Sequence, residues 1–358
     1  MTPSTAPVSR PAETAPQAPV EERLRRDPAA HRLLSGDRPT GPLHVGHYFG
    51  TLRTRVRLQD LGVDTYVLIA DYQVLTDRDR PGDLPALVEE LLLDHLATGL
   101  DPERTTVFTH SAVTALNQLM LPLLSLVSVA ELGRNPTVKD EIAHSRQSAV
   151  SGLMFTYPVH QAADILFCKA DVVPVGRDQL PHLELTRTLA RRFNERYTPG
   201  TPGLFRLPEP LLSDAPLLLG TDGQKMSKSR GNAVPLAASA DETARLIRAA
   251  RTDADRRITY DPAARPGVAS LLALTALCEG TTPETVAEEV GDGGAAVLKR
   301  RATEAVNTHL APLRARRAAY AADRGALRAI LRRGNERAAA RAERTLAQVR
   351  AAMGTDYR

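Results

Sequence analysis

Two kinds of hydrophobic pattern alternate along the first two thirds of the chain. Short, nearly continuous apolar runs rich in β-branched residues are typical of strands buried on both faces, and longer stretches with apolar residues three and four apart are typical of helices. The predicted strands are 32–35, 64–71, 105–109 and 171–175, and the predicted helices are 46–60, 84–100, 112–132, 159–167 and 179–197. This alternation predicts βαβ units and a parallel sheet of the Rossmann-like α/β class.

The last third of the chain carries almost no strand pattern. It follows a Pro/Gly-rich stretch, 198–223, that breaks the alternation. The helices predicted beyond residue 237 are 241–250, 267–278, 284–290, 295–309 and 326–353. We therefore expect a Rossmann-like catalytic domain over 31–236 and an all-α domain over 237–358. Residues 1–30 are rich in Pro, Ala and Thr and hold too little apolar surface to fold, so we expect a disordered extension there.

Composition excludes several classes of protein. At 42% hydrophobic and 25% charged residues, the chain is typical of soluble globular proteins. Its two cysteines, Cys168 and Cys278, are too few for a disulfide framework or a zinc site, which indicates a reducing compartment. The most apolar stretch, 119–132, is too short to span a bilayer, and no secretory signal is visible. We expect a cytoplasmic protein with no membrane partner and no metal site of its own.

Charge is distributed unevenly along the chain. Residues 299–358 hold 15 Lys/Arg and 5 Asp/Glu, a net charge of +10, whereas the other residues hold 31 and 37, a net charge of −6. A basic tail on an acidic body indicates a polyanionic partner for the tail. Helix faces exposed to solvent would give the same pattern, and charge alone does not decide between the two.

A turn with two histidines follows the first predicted strand. Residues 41–47, Gly-Pro-Leu-His-Val-Gly-His, are called the histidine turn below. In an open parallel sheet, ligands bind beyond the carboxyl ends of the strands, and a helix N-terminus there suits phosphate. His44 and His47 could donate to phosphate oxygens as their charge rises, and Gly46 leaves room for a nucleotide near the backbone. By itself the pattern is weak, since a histidine pair in a loop is more often merely solvated.

A basic glycine-flanked stretch, 221–232, contains Lys225-Met226-Ser227-Lys228-Ser229 and is called the lysine loop below. Two lysines three residues apart in such a loop can fold over a polyphosphate and neutralise its leaving half. A mobile basic surface loop is the simpler interpretation.

A third cluster lies on a predicted helix. Tyr157, Gln161 and Asp164 are four and three residues apart, so they share one helix face. Gly176 and Asp178-Gln179 follow the next predicted strand. The polar face is either solvated or the wall of a pocket, and the neighbouring buried strand favours the pocket.

Together, and about 180 residues apart, the first two motifs resemble the signature pair of class I aminoacyl-tRNA synthetases. The third cluster resembles the side-chain pocket shared by tryptophanyl- and tyrosyl-tRNA synthetases. The resemblance runs from about residue 31 to the C-terminus, and the basic helical region looks like the anticodon-binding domain. It implies a homodimer that binds tRNA and uses ATP with Mg²⁺.

The resemblance also implies residue roles. His44 and His47 would serve the phosphates, and Lys225 and Lys228 the departing pyrophosphate. The implied ATP-binding residues are Asp37, Arg38, Thr40, Gly46, His47, Gly176, Asp178, Lys225, Met226, Ser227, Lys228 and Ser229. The implied tryptophan-binding residues are Leu34, Gln73, Tyr157, Gln161, Asp164, Val173, Val175 and Gln179. Among them, Tyr157 and Gln179 would hold the ammonium group, Asp178 the ribose and Asp164 the indole N–H.

The choice of amino acid depends on position 34. Archaeal-type tyrosyl enzymes place a tyrosine two residues before the turn glycine, where this chain has Leu34. The apolar residue favours indole, so the chain resembles the bacterial tryptophanyl-tRNA synthetases and L-tryptophan, ATP and tRNA(Trp) are the expected partners, with no role for DNA. Gln161 stands where most of those proteins have methionine and Gln73 where many have histidine, which indicates a divergent subfamily. A tyrosyl enzyme and a non-catalytic tRNA-binding paralogue remain as alternatives.

Overall fold

Five parallel strands form one sheet in the order β3-β2-β1-β4-β5. The computed structural model describes residues 18–76, 82–139, 150–212, 218–226 and 231–357. The strands are β1 (Arg32–Asp37), β2 (Asp64–Ile69), β3 (Thr105–Thr109), β4 (Val172–Val175) and β5 (Glu209–Leu212). The strand order reverses between β1 and β4, which is where open α/β sheets bind their ligands. The predicted Rossmann-like fold class is confirmed.

Helices cover both faces of this sheet and make up the region after it. The helices before residue 200 are α1 (Val20–Arg26), α2 (Val45–His47), α3 (Arg53–Leu61), α4 (Leu84–Ala97), α5 (Thr114–Leu124), α6 (Val129–Arg134), α7 (Gly152–Leu166) and α8 (Leu180–Tyr197). A π-helical turn, Tyr48–Leu52, joins α2 to α3. The later helices are α9 (Ala240–Ala249), α10 (Pro266–Glu279), α11 (Pro283–Val290), α12 (Gly294–Ala321) and α13 (Arg324–Met353).

Among the helices of the described residues, none combines the length and the apolar character needed to cross a bilayer.

The single helix predicted over 112–132 is wrong, because the chain folds there as α5 and α6. The break has a local cause in two serines. The Ser125 hydroxyl donates to the Pro122 carbonyl over 2.7 Å, and Ser128 begins α6 with a capping box that pairs it with Glu131. Serine side chains compete with the helical backbone for hydrogen bonds and favour helix starts.

Two other expectations fail after residue 198. The stretch 198–223 contains β5, a four-residue edge strand parallel to β4. It includes Pro210, and proline in a strand is tolerated mainly at such an edge. The helix predicted to end at residue 309 instead runs through Pro312 to the end of α12.

The disorder expected over residues 1–30 is wrong for residues 20–30. Helix α1 is followed by a 3₁₀ turn, Pro28–Ala30. Leu24 is fully buried in a small cluster with Leu33 and Val172, below the sheet. The Arg23 guanidinium also bonds to Glu209 of β5 over 2.6 Å. Residues 1–17 lie outside the described part of the chain.

The helical region predicted over 237–358 packs directly on the α/β part. One hydrophobic core contains Leu92 of α4, Leu272 of α10 and Leu310 of α12. Helix α13 covers the free edge of β3, where the Asn335 side chain accepts the Thr109 N–H over 2.9 Å. A covered edge cannot pair with another chain.

Ion pairs account for part of the charge asymmetry between the tail and the body. Arginines of α12 and α13 contact acidic residues of the α/β part, in the pairs Arg317–Asp94, Arg324–Glu90, Arg328–Glu89 and Arg333–Glu103. Part of the positive charge that indicated a polyanionic partner therefore holds the two parts of the chain together.

Candidate functional site

A cavity of about 600 Å³ opens at the carboxyl ends of β1 and β4. Most of the residues that sequence predicted for ligand binding line it. They are Leu34, Asp37, Arg38, Thr40, His44, His47, Gln73, Tyr157, Gln161, Asp164, Val173, Val175, Gly176, Gln179, Lys225 and Met226. Gly46 and Asp178 lie beside the cavity, in contact with lining residues. Ser227, Lys228 and Ser229 lie outside the described residues.

The histidine turn presents two imidazoles to this cavity. Their ring centroids are 3.7 Å apart. The His44 main-chain N–H donates to Nδ1 of His47 over 3.2 Å. Because Nδ1 accepts this bond, the proton of a neutral His47 ring is assigned to Nε2, which makes Nε2 the nitrogen that can donate to a ligand.

The histidine turn is held from two sides. The Leu43 N–H donates to Asp94 over 2.9 Å, and the other oxygen of this fully buried carboxylate accepts a bond of 2.8 Å from Arg317. Burial raises the pKa of Asp94, and Arg317 opposes that shift. On the other side the Val45 N–H donates to the Val234 carbonyl over 3.0 Å. The position of the turn therefore depends on both α12 and the segment that follows the lysine loop.

The histidine turn also touches the lysine loop. A Cβ atom added at Gly46 would lie 3.0 Å from the His44 Nδ1 atom and 3.3 Å from the Met226 sulfur. Both distances are tighter than ordinary van der Waals contact. The absence of a side chain at Gly46 thus lets the two motifs approach each other.

The two ends of the lysine loop are bonded together at Asn232. Its carbonyl accepts the Thr221 N–H over 2.8 Å, and its side chain donates to Asp222 over 2.8 Å. Lys225 stands at the cavity, 3.8 Å from the Asp178 carboxylate, with both side chains largely exposed. Such an exposed pair is weak, so the Lys225 ammonium can move to an anionic ligand.

The face of α7 predicted as a pocket wall lines the cavity, and a histidine of α8 lines the cavity beside it. The Tyr157 hydroxyl lies 2.9 Å from Nε2 of His182, which is buried near the start of α8. Burial lowers the pKa of His182 to about 4, so its ring is neutral at physiological pH. His182 was not among the residues predicted from the sequence. Its position three residues after Gln179, on the same helix face, was the available signal.

Asp164 is buried and bonded to a second missed histidine. Its Oδ1 atom lies 2.8 Å from Nε2 of His110, and its Oδ2 atom lies 3.5 Å from the Gln73 amide nitrogen. His110 directly follows β3, so it stands at the same carboxyl edge of the sheet as the cavity. A polar residue immediately after a buried strand was the sequence signal for it.

Asp37 was expected to contact ATP, and its carboxylate has an internal partner. The Arg55 guanidinium bonds to it over 2.6 Å. Arg55 is 2% exposed, and a charge so deeply buried needs a counter-ion. Arg55, which lines the cavity from α3, was not among the residues predicted from the sequence. The binding of ATP by Asp37 stays a prediction.

Comparison with known proteins gives concordant results. The family model described as tRNA synthetases class I (W and Y) matches residues 27–311. The tryptophan–tRNA ligase of Treponema pallidum is 40% identical over 334 residues, covering 91% of this chain and 98% of that protein. The ligase of Clostridium longisporum is 39% identical over the same length, covering 91% of this chain and 97% of that protein.

Solved structures show the same architecture. The Campylobacter jejuni tryptophanyl-tRNA synthetase, complexed with ADP and tryptophan, matches with a TM-score of 0.77 and 26% identity. That match covers 90% of this chain and 99% of the other. The Archaeoglobus fulgidus tyrosyl-tRNA synthetase matches with a TM-score of 0.63 at 23% identity, over 83% of this chain and 94% of the other, and shares the fold. With its paired motifs at one cavity and its family match over most of its length, the chain belongs to the class I tRNA synthetases of the tryptophan and tyrosine family.

Proposed function

We propose that this chain is a tryptophan–tRNA ligase. It activates L-tryptophan with ATP, releases pyrophosphate and transfers tryptophan to tRNA(Trp). The observation that carries the proposal is one cavity lined by both the histidine turn and Lys225-Met226 on one side and by the polar face of α7 on the other. Relatives at about 40% identity over 91% of the chain carry the same activity in their names, which supports the choice of amino acid.

The amino-acid end of the cavity suits indole. Leu34 in the wall is buried and offers no hydrogen bond, while Asp164 offers a buried carboxylate oxygen. An indole N–H donating to Asp164 would satisfy that acceptor. Apolar analogues would leave the Oδ2 atom of Asp164 with only the long 3.5 Å contact to the Gln73 amide, which is unfavourable in a buried site. Val173 and Val175 supply apolar wall on the β4 side, and Gln161 adds a polar group from α7.

The amino group of tryptophan would be held by Tyr157 and Gln179. An ammonium group has three donors and needs acceptors, and the phenol oxygen and the amide oxygen can both accept. The neutral His182 ring restrains the Tyr157 hydroxyl through their hydrogen bond. A neutral imidazole there avoids placing a second positive charge beside the ammonium group.

Activation requires no covalent intermediate with the enzyme. The tryptophan carboxylate attacks the α-phosphorus of ATP, which enters as its Mg²⁺ complex, and pyrophosphate leaves with the electrons of the broken P–O bond. Catalysis is then positioning and stabilisation of developing negative charge. His44 and the Nε2–H of His47 would serve the phosphates, and Lys225 with Lys228 the departing pyrophosphate. Arg38, Thr40, Gly176 and Asp178 would complete the nucleotide site.

Three further inferences about tRNA binding, assembly and location belong to the same proposal. The helices of 237–358 would bind the anticodon region of tRNA(Trp), two copies of the chain would form a homodimer, and the enzyme would act in the cytoplasm. The family of the chain supports these inferences.

ATP–pyrophosphate exchange tests the activity. We expect exchange that depends on tryptophan, with tyrosine at least 100-fold less effective by kcat/KM. Because the chain contains no tryptophan, binding of the free amino acid can be followed in parallel by indole fluorescence. Exchange with tyrosine alone would instead establish the tyrosyl enzyme. Tryptophan binding without exchange would favour a non-catalytic paralogue.

A further inference from the structure

A buried pair of histidines lies behind the indole end of the cavity, and the mechanism above makes no use of it. His110 is fully buried, and His160, on α7, is 3% exposed. Their ring centroids are 4.3 Å apart and the ring planes are tilted by 31°. His110 is not among the residues that line the cavity, and its bond to Asp164 connects it to the cavity wall.

The bond between His110 and Asp164 has a defined direction. An ionised carboxylate only accepts hydrogen bonds, so Nε2 of His110 carries a proton and donates it to Oδ1 over 2.8 Å. Asp71 stands on the other side of the ring, with 3.9 Å between its Oδ1 atom and Nδ1 of His110, which is too far for a hydrogen bond. The Asp164 bond is therefore the one that orients this imidazole.

His110 is itself held in place by Asn117 and His160. The Asn117 amide nitrogen donates to the His110 carbonyl over 2.8 Å, which leaves the amide oxygen as an acceptor. That oxygen lies 2.8 Å from Nε2 of His160, so this nitrogen carries a proton. Burial lowers the pKa of His160. A neutral His160 ring can pack on His110 without repulsion between two cations.

The cluster of His110, His160 and Asp164 has the composition of a metal site, but its geometry opposes one. A metal ion lies in the plane of each imidazole that binds it, about 2.1 Å from the nitrogen. Two rings stacked at 4.3 Å with only a 31° tilt cannot both place one ion in their planes at that distance. The hydrogen bonds, in contrast, account for both Nε2 atoms.

We infer that His110 is a positioning residue that selects tryptophan by fixing the carboxylate of Asp164. The terminal torsion of an aspartate is broad, so the group can rotate unless one oxygen is held. With Oδ1 engaged by His110, Oδ2 is the oxygen left for the indole N–H, and Gln73 is only loosely placed against it at 3.5 Å. The inference rests on the proposed function, because it assumes that Asp164 receives the indole N–H.

The test compares tryptophan with an analogue that has the same ring shape and no N–H, 3-(benzothiophen-3-yl)alanine. The measured quantity is the ratio of kcat/KM for the two amino acids in ATP–pyrophosphate exchange. His110→Leu removes the donor and keeps the bulk, and His110→Gln keeps an N–H donor. Asp164→Asn, measured in the same assay, shows how far the ratio depends on the Asp164 carboxylate.

We expect His110→Leu to lower the ratio at least tenfold, through a higher KM for tryptophan, with the KM for ATP unchanged. His110→Gln should restore the ratio to within about threefold of the parent. If His110→Leu does not fold, His110→Asn, whose amide is too short to reach Asp164, takes its place.

Three outcomes would overturn the inference. His110→Leu could keep the ratio of the parent although Asp164→Asn removes the preference for tryptophan. In that case Asp164 acts without His110, and the proposed function stands. The ratio could fall equally in His110→Gln, which would make the ring rather than the donor responsible. The kcat/KM ratio could also be the same in Asp164→Asn as in the parent, which would mean that Asp164 does not receive the indole N–H. Failure of the parent enzyme to exchange with tryptophan at all would separately remove the proposed function and this inference with it.

Discussion

At the scale of single residues, three polar side chains of the cavity are each oriented by a hydrogen-bonded partner. Tyr157 is held by His182, Asp164 by His110 and Asp37 by Arg55. The supporting residues are all almost completely buried. Supports of this kind fix the rotamers of the groups that meet a ligand, which is how a preformed site is achieved.

The buried His182 makes stability depend on pH. Its pKa is lowered from 6.5 to about 4 in the folded protein, so the unfolded chain binds a proton here between those values and the folded chain does not. Stability from this group is complete above pH 6.5 and is lost as the pH falls towards 4. We expect it to contribute a loss of about 2 kcal/mol between pH 7.5 and 5.0.

Urea unfolding of the parent and of His182→Gln at both pH values measures this effect. The variant should lose about 2 kcal/mol less than the parent over the interval, since other groups titrate equally in both. Parallel stability curves would show that burial of His182 does not carry the effect.

At the scale of elements, the short contact between the histidine turn and the lysine loop is the most demanding feature of the site. Three connections hold the histidine turn in place. The Leu43 N–H bonds to Asp94 of α4, the Val45 N–H bonds to the Val234 carbonyl, and Gly46 lies against Met226. Under the proposed function this turn serves the phosphates, and small displacements of it are then costly, because misplacement by about 1 Å can lower a rate about 100-fold.

Gly46→Ala should therefore lower the rate of pyrophosphate exchange at least tenfold. The added methyl would press on the His44 ring and on Met226, and one of them must move. Gly50→Ala is the matched control, because a Cβ atom there meets nothing within 4 Å and the position lies in the following turn. We expect exchange in the control within about twofold of the parent. Equal rates in both variants would contradict the role given to Gly46.

At the scale of the whole molecule, the helical region and the α/β part form a continuous hydrophobic core. Their junction combines the arginine pairs of α12 and α13 with the packing of α13 along β3. At Gly334 the helix approaches β3 so closely that an added Cβ would overlap the Val107 carbonyl oxygen. The two backbones touch directly at this point.

Gly334→Ala should be strongly destabilising for that reason. Because the methyl would meet backbone rather than a flexible side chain, we expect a loss of about 3 kcal/mol in the free energy of unfolding. Gly133→Ala is the control. Its added Cβ would lie 3.9 Å from the Phe155 ring, and a change within about 1 kcal/mol is expected. Urea denaturation measures both, and similar losses would show that α13 does not depend on this approach.

The sequence by itself determined the fold class and most of the cavity wall. Periodicities of 2 and 3.6 are local properties, so β1 to β4 and most helices could be predicted from them. Helical spacing likewise placed Tyr157, Gln161 and Asp164 on one face, and the 41–47 motif placed His44 and His47 in the turn after β1. The edge strand β5 escaped prediction because only its last two residues are leucines and it lies in a Pro/Gly-rich stretch, whereas β4, equally short and also containing a proline, has valine at its other three positions.

Only the tertiary structure decided which groups support the site. His110, His182 and Arg55 are distant in sequence from their partners Asp164, Tyr157 and Asp37, and no local pattern links them. The same holds for the basic tail, whose charge in sequence did not distinguish an external polyanion from acidic residues of the same chain. Hydrogen bonds and ion pairs act over a few ångströms, whatever the separation along the chain, so they are specified only once the elements are packed.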